Sequence, residues 1–163
     1  MDKLWAPWRI KYITEDLKKS SGCVFCRIVK EKKDKKNFVV IRRNHCFAVL
    51  NIYPYNNGHT LIVINRHVND LDKLNKEERD EFLDLLIETK TLIQKTISPA
   101  GFNIGMNLGR VAGAGCPGHL HIHVVPRWAG DINFMPVVSG IKVISQSLKT
   151  LHKELCDVHK RKN

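Results

Sequence analysis

Three short hydrophobic runs, each bounded by turn residues, follow one another between residues 38 and 65. FVVIR (38–42), CFAVLNIY (46–53) and HTLIVIN (59–65) are rich in β-branched and aromatic residues. Arg43-Asn44 separates the first two runs, and the turn-forming stretch PYNNG (54–58) precedes the third. Runs of this length and composition between turn signals predict three consecutive β-strands.

A change of period after residue 74 predicts a long helix. Asn75 can cap its N-terminus, and Glu78, three residues later, can complete a capping box. Pro99 and Gly101 predict its end. Between these limits, apolar residues recur at helical spacing, and they are Phe82, Leu85, Leu86, Leu92, Ile93 and Ile97.

The second half of the chain continues the mixture of strands and helices. FNIGMNL (102–108) alternates like a strand, GRVAGAGCPG (109–118) predicts a flexible loop, and a histidine-rich strand follows. Apolar residues at 148, 151, 155 and 158 mark a final amphipathic helix. This order predicts an α+β fold, a mostly antiparallel sheet with helices packed on one side.

The length of 163 residues fits one domain. Within a single domain over 1–163, we expect residues 1–22 to form an irregular N-terminal extension. Residues 140–163 would form the C-terminal helix and a basic tail.

Composition adds a strong positive charge to this picture. The formal net charge is +11, and much of it lies in KEKKDKK (30–36) and in the tail. A basic surface favours polyanionic partners such as phosphorylated metabolites, nucleic acid or an anionic membrane. For the lysine clusters themselves, solvated loops are the better explanation.

The expected compartment is the cytoplasm. Hydrophobic runs are shorter than a bilayer requires, and MDKLWAPWRIKYI at the N-terminus lacks the apolar segment of a signal peptide. The five cysteines, an odd number, agree with a reducing environment better than with a disulfide scaffold.

The CVFC motif places Cys23 and Cys26 at the spacing of a zinc site. Two thiolates supply half of a tetrahedral site, which nitrogen ligands can complete. A redox pair or two unrelated buried thiols are the alternatives, but a thioredoxin-like motif belongs near a βαβ unit that the pattern lacks. The candidate nitrogen ligands are His45, His59, His67 and the histidines at 119, 121 and 123.

GHLHIHVVPRW (118–128) sets His119, His121 and His123 on one face of a strand. The outer two would lie roughly 13 Å apart at Cα, too far for a regular strand to close all three around one metal. The alternative is a set of hydrogen-bonded core histidines, although burying several imidazoles is costly without partners. A neutral imidazole is also able to attack phosphorus and form a covalent intermediate. The glycine-rich stretch before them, GMNLGRVAGAG (105–115), could bring backbone amides close to phosphate oxygens.

These motifs resemble the histidine triad (HIT) family, whose signature His-φ-His-φ-His-φ-φ (φ, apolar) is met throughout 119–125. The motifs CVFC, LNIYPYNNGHTLIVINRH, GFNIGMNLG and VVPRWAGDINFM follow in the family's order. The opening LWAPWRIKYI resembles a bacterial branch related to dinucleoside polyphosphate hydrolases and phosphorylases. The resemblance implies a five-stranded sheet that pairs with a second copy in a homodimer.

The resemblance also implies roles for individual residues. His121 would be the nucleophile, His123 would orient the phosphate, and His59 would lie close to the nucleophile. Asn107 and Gly115 would lie at the phosphate, and Asn51 would take the place of the usual acidic ribose ligand. Structural zinc would be held by Cys23, Cys26, His67 and His119, with no catalytic cofactor.

The implied function is cleavage of a dinucleoside polyphosphate such as diadenosine tetraphosphate through a nucleotidyl-histidine intermediate. Gly115 stands where the family's common hydrolases carry glutamine, so phosphate could replace water as acceptor. Cys116, its neighbour, is better explained as a small packed thiol than as a nucleophile. The alternatives are a nucleoside phosphoramidase and a non-catalytic, zinc-stabilised nucleotide- or RNA-binding module. Nucleic acid is the less favoured partner, since no aromatic RNA-recognition motif appears, and no membrane partner is expected.

Overall fold

A single antiparallel sheet organises the computed structural model, which describes residues 22–131 and 144–161. Its order across the sheet is β1-β2-β3-β5-β4. The α+β fold with an antiparallel sheet, predicted above, is thereby confirmed. Most of the predicted N-terminal extension (1–21), residues 132–143 and the last two residues of the tail lie outside the described residues. The strands are β1 (Val39–Arg42), β2 (Cys46–Leu50), β3 (Thr60–Ile64), β4 (Gly101–Gly105) and β5 (His121–Arg127).

The two predicted helices are present, and within residues 22–38 two further helices precede the sheet. The long helix has the predicted capping box, in which the Asn75 side chain accepts from the Glu78 amide and the Glu78 carboxylate accepts from the Asn75 amide. Among the described residues, no helix is long and apolar enough to cross a membrane. The helices are α1 (Val24–Glu31), α2 (Asp34–Asn37), α3 (Lys76–Ile97) and α4 (Leu148–Lys160), with a 3-10 turn at Leu71–Lys73.

Helices cover both faces of the sheet, which corrects the expectation that they pack on one side. One face carries the larger core, where Ile62, Ile122 and Val124 pack with apolar residues of α3 and α4. On the opposite face, Phe25 and Ile28 of α1 pack against strand residues of β1, β2 and β3. The sequence did not predict α1 because eight residues with two buried side chains are too short to establish a helical period.

Two strand limits differ from the predicted runs in ways that shape the site. β2 ends at Leu50 instead of continuing to Tyr53, because the Asn51 side chain accepts from the Tyr53 amide (2.9 Å) and turns the chain. β5 begins at His121. Immediately before it, the Leu120 amide donates to the carbonyl of Val68 (2.6 Å), so His119 lies ahead of the regular ladder.

Candidate active site and metal centre

The predicted division of the histidine strand between two faces is present in the structure. Leu120, Ile122 and Val124 lie in the core beneath α3. The histidines at 121 and 123 occupy the other face, with their ring centroids 5.0 Å apart. The polar side chains therefore share the side of the sheet that α1 covers in part.

His121 is held in one tautomer by the backbone next to it. Its Nδ1 lies 2.7 Å from the carbonyl oxygen of His119, and an oxygen can only accept, so Nδ1 carries the proton. The lone pair is left on Nε2. Burial lowers the pKa of His121, although the same backbone hydrogen bond opposes that shift. The side chain is 7% exposed, so a neutral, oriented imidazole stands at the surface of the site.

A hydrogen-bonded chain runs from the turn after β2 to His123. The Tyr55 amide donates to Nδ1 of His59 (3.0 Å), which leaves the proton of His59 on Nε2. That Nε2 lies 2.9 Å from Nδ1 of His123 and donates to it. The proton of His123 is therefore on Nε2, the atom opposite its bond to His59.

Tyr55 is a site residue that sequence reasoning missed. Its ring stacks on His59, with centroids 4.8 Å apart and an interplanar angle of 21°, and lies 5.9 Å from the ring of His123. Its position in PYNNG was explained as part of a turn. The turn is what aims its amide at His59, so the turn signal itself pointed to this contact.

Besides His123, three residues were predicted to bind the nucleotide, and they lie at three different points of the structure. Asn51 adjoins the histidine cluster, where its Nδ2 lies 3.3 Å from Nδ1 of His59 and its Oδ1 accepts from the backbone. Asn107 lies two residues beyond Gly105, which pairs with His123 across β4 and β5. Gly115 lies in the connection between those strands. Their contacts with a nucleotide stay predictions.

An ion pair anchors the turn that carries Tyr55. Asn56 donates through Nδ2 to Asp131 (2.7 Å) and to the carbonyl of Pro126 (3.1 Å). The guanidinium of Arg127 binds both carboxylate oxygens of Asp131, at 2.6 and 2.9 Å. These bonds, the Arg127 contact first, lower the pKa of Asp131 to about 2. The end of β5 is thus tied to the turn that directly precedes His59.

Cys23, Cys26, His67 and His119 converge into one cluster that could hold a metal. Their ligand atoms all lie within 4.8 Å of one another. Sγ of Cys23 is 3.1 Å and Sγ of Cys26 is 3.6 Å from Nδ1 of His119, and Cys26 is 3.3 Å from Nδ1 of His67. Sulfur and nitrogen ligands of one tetrahedral zinc lie roughly 3.6 Å apart, so the four residues fit that ion. Nε2 of His119 donates to the carbonyl of Ile64 (2.6 Å), which turns the Nδ1 lone pair toward the sulfurs.

The other candidates of the sequence analysis fall outside this cluster. His59, His121 and His123 belong to the histidine cluster, and the backbone of His45 bonds to Glu81 at the far end of β2. Cys116 packs beside Cys23, and burial raises its pKa to about 11. A thiol with that pKa is protonated at neutral pH, which agrees with the interpretation of Cys116 as a packed side chain.

Similarity to known proteins covers most of the chain. The family profile of the HIT domain matches residues 32–130. The AP-4-A phosphorylase of Mycobacterium tuberculosis is 38% identical over 162 residues, which span 95% of this chain and 83% of that protein. The adenosine 5'-monophosphoramidase HNT1 of Saccharomyces cerevisiae is 27% identical over 135 residues, spanning 83% of this chain and 81% of that protein.

Solved structures share the fold. A zinc-bound histidine triad family protein from Mycobacterium smegmatis superposes with a TM-score of 0.69 at 23% identity, covering 86% of this chain and 94% of that one. A hypothetical histidine triad nucleotide-binding protein from Sulfolobus tokodaii gives a TM-score of 0.70 at 23% identity, with coverages of 85% and 93%.

Proposed function

The chain is an enzyme of the HIT domain family, and from this premise we propose that it cleaves a dinucleoside polyphosphate through a nucleotide covalently bound to His121. Diadenosine tetraphosphate is the substrate that we infer. The similarity to an AP-4-A phosphorylase over 95% of the chain supports this choice. The observation that carries the mechanism is the hydrogen bond from Nδ1 of His121 to the carbonyl of His119.

That hydrogen bond makes Nε2 of His121 the nucleophile. As its lone pair forms a bond to the α-phosphorus, the bond from that phosphorus to the bridging oxygen breaks, and ATP departs with the oxygen. The positive charge that the imidazole gains is stabilised at Nδ1–H by the same carbonyl. A neutral imidazole at pH 7 is ready for this attack without prior loss of a proton.

His123 is proposed to act on the phosphate from the neighbouring position of β5. Its Nε2–H, fixed by the hydrogen bonds that run through His59, can donate to a phosphate oxygen as negative charge builds up there. The Tyr55 ring and the Asn51 amide both contact His59 and keep these hydrogen bonds in place. Asn107 is proposed to contact the α-phosphate from the end of β4, and Asn51 to adjoin the ribose.

Inorganic phosphate is the acceptor that we propose for the second step. Attack of a phosphate oxygen on the nucleotidyl phosphorus breaks its bond to His121 and yields ADP, whereas attack of water yields AMP. Gly115 supports phosphate, because a glycine there provides no side chain to position water and leaves room beside the backbone amides. The similarity to a phosphorylase supports it independently.

Zinc is the proposed occupant of the cluster at Cys23, Cys26, His67 and His119. Two thiolates with two imidazoles form a donor set that zinc prefers, and four protein ligands leave no open position for substrate. When bound, the ion would supply folding free energy and no catalytic step. The related protein from Mycobacterium smegmatis, which is zinc-bound, supports this choice of metal.

A homodimer and a cytoplasmic location complete the proposal. β4 is an outermost strand of the sheet, and Lys90 of α3 lies over the Phe102 ring of β4 (5.8 Å), which brings that helix beside the edge. An apolar surface at an open strand edge suits pairing with a second copy. Five free thiols are compatible with the cytoplasm. Exposed apolar residues lie on α3 (Leu83, Ile87), on β4 (Ile104) and within three residues after it (Met106, Leu108).

Product analysis with diadenosine tetraphosphate tests the activity and its acceptor together. The zinc-loaded protein is incubated with and without inorganic phosphate, and the nucleotides are separated by ion exchange, with His121→Ala as the control. ADP and ATP formed only with phosphate would support the proposed phosphorylase. AMP and ATP formed without phosphate would make it a hydrolase.

Absence of dinucleotide cleavage would contradict the proposed substrate. Adenosine 5'-phosphoramidate is the next substrate to supply, because a relative of this chain is a monophosphoramidase. Its cleavage to AMP would indicate the phosphoramidase alternative. Nucleotide binding with no cleavage of either compound would indicate the non-catalytic alternative.

A further inference from the structure

Phe25 connects the cluster of Cys23, Cys26, His67 and His119 with the proposed nucleophile. It lies between Cys23 and Cys26 in the first turn of α1, and its side chain is buried against the sheet. Its ring centroid is 5.3 Å from that of His119, in an edge-on arrangement, and 5.1 Å from that of His121, tilted by 49°. One aromatic ring therefore contacts a metal-cluster residue and the nucleophile at the same time.

The first turn of α1 is held in place by the cluster itself. Cys23 and Cys26 both approach His119, and Cys26 also approaches His67. Cys23 caps the helix without a side-chain hydrogen bond to the backbone, so its sulfur faces the cluster instead of the helix end. Whatever fixes these two sulfurs also fixes the position of the ring between them.

His121 depends on its surroundings because one hydrogen bond sets its tautomer. The bond from its Nδ1 to the carbonyl of His119 is protected only while water is kept from that oxygen and the ring is kept from rotating. The Phe25 ring is buried and lies against the imidazole, where its bulk can restrict rotation of His121 and fill space that water would otherwise enter. Removing it would open a cavity next to the hydrogen bond and let water compete for the carbonyl.

We propose that Phe25 is a positioning residue that holds the His121 ring in its Nδ1–H tautomer and makes that geometry depend on the metal-binding Cys-His cluster. The catalytic consequence rests on the proposed function. The structural consequence, a single tautomer of His121 in the metal-loaded protein and a mixture without Phe25, does not. Loss of the metal frees both sulfurs that flank Phe25, so it is expected to have the same effect on His121.

The test is ¹⁵N NMR of the histidine side chains in zinc-loaded protein, where two-bond correlations distinguish the two neutral tautomers. The wild type should show His121 as the Nδ1–H tautomer. Phe25→Ala should show averaged or Nε2–H signals for His121, and wild-type protein stripped of zinc with a chelator should show the same change. The signals of His121 are assigned by their loss in His121→Asn.

Ile28→Ala is the matched control. Ile28 lies one turn further along α1, is buried to the same degree and belongs to the same apolar cluster as Phe25. It should lose comparable stability while His121 keeps its tautomer. Phe25→Val, which stays apolar but still leaves a cavity beside the imidazole, serves if Phe25→Ala does not fold. An Nδ1–H tautomer that survives in the Phe25 variant would overturn the proposal.

Zinc content and kinetics add two independent readouts. Phe25→Ala should retain one zinc per chain, because the four cluster residues are intact. Its kcat with diadenosine tetraphosphate should fall about 10-fold or more below that of Ile28→Ala, with KM little changed, since the substrate still binds. A protein without this activity would remove the kinetic readout and the proposed function, and the NMR readout would still decide the role of Phe25.

Discussion

Nε2 of His59 lies 2.9 Å from Nδ1 of His123, although the two residues are 64 positions apart in the chain. The contact joins β5 to the residue just before β3, in the centre of the sheet. Since the Tyr55 amide fixes the proton of His59, this one bond determines which nitrogen of His123 can donate to a substrate. The proton positions of His59 and His123 are therefore set by a backbone turn.

Removing the His59 side chain should slow catalysis without abolishing it. His59→Ala leaves His123 free to change tautomer and rotate, so we expect kcat to fall about 10- to 100-fold with a small change in KM. His59→Gln, whose Nε2 can still donate to His123, should recover part of the loss. Steady-state kinetics with diadenosine tetraphosphate and phosphate measure both variants. Equal rates for the alanine and glutamine variants would contradict a role through this hydrogen bond.

Removing the His121 side chain should abolish turnover. His121→Ala has no atom to carry the nucleotide, so we expect kcat to fall by at least about 10³-fold. The fold and nucleotide affinity should be largely retained, as measured by circular dichroism and by calorimetric titration with a non-cleaved analogue. Turnover at the wild-type rate in a pure preparation would exclude His121 as the nucleophile.

Loss of one cluster thiol should remove metal and stability together. In Cys26→Ser we expect loss of bound zinc and a melting temperature lower by roughly 10 °C, because the free energy of binding is part of the free energy of folding. Elemental analysis and calorimetry provide the two measurements. Cys156→Ser, at a half-buried thiol of α4 outside the cluster, is the control and should keep its zinc. A metal-free wild type of equal stability would argue against a structural ion.

The ion pair between Arg127 and Asp131 should stabilise the folded protein, and acid should remove that stabilisation. The pKa of Asp131 is lowered from 3.8 to about 2 in the folded protein, so the unfolded chain takes up the proton first as pH falls. The stabilisation is complete above about pH 4 and disappears as pH falls through about 2. Asp131→Asn should therefore melt below the wild type at pH 7, and the difference should shrink between pH 4 and 2. A difference that is independent of pH over this range would show that charge is not its cause.

A charge on the apolar surface of α3 and β4 should separate the proposed dimer. Ile87 is 56% exposed and Ile104 is 47% exposed, so neither requires burial within one chain. Ile87→Glu combined with Ile104→Asp should shift the mass measured by light scattering from dimer to monomer. Leu71→Glu, at an exposed leucine of the 3-10 turn, is the control and should leave the dimer intact. A wild type that is monomeric at micromolar concentration would contradict the proposal directly.

The sequence by itself determined the elements whose signals are local. The alternation at 119–125 put the three histidines opposite Leu120 and Ile122, and the Asn75 capping box marked the start of α3. CVFC was a local signal as well, since its two thiols have the spacing of a zinc site, with a redox pair or two unrelated thiols as the alternatives. The resemblance selected His67 and His119 as partners, and these are the two histidines that the structure brings to the cysteines.

Only the tertiary structure decided the protonation and the couplings of the site. Cys23 and His119 meet across 96 residues, and His59 and His123 meet across 64. The Tyr55 amide and the His119 carbonyl, which set the protons of His59 and His121, are near in sequence, but only the folded backbone aims them at the rings. The helix that carries Phe25 was not predicted, because eight residues with two buried side chains are too short to establish a helical period. Hydrophobic period is a property of neighbouring residues, whereas a tautomer depends on whichever backbone group the fold brings to the ring.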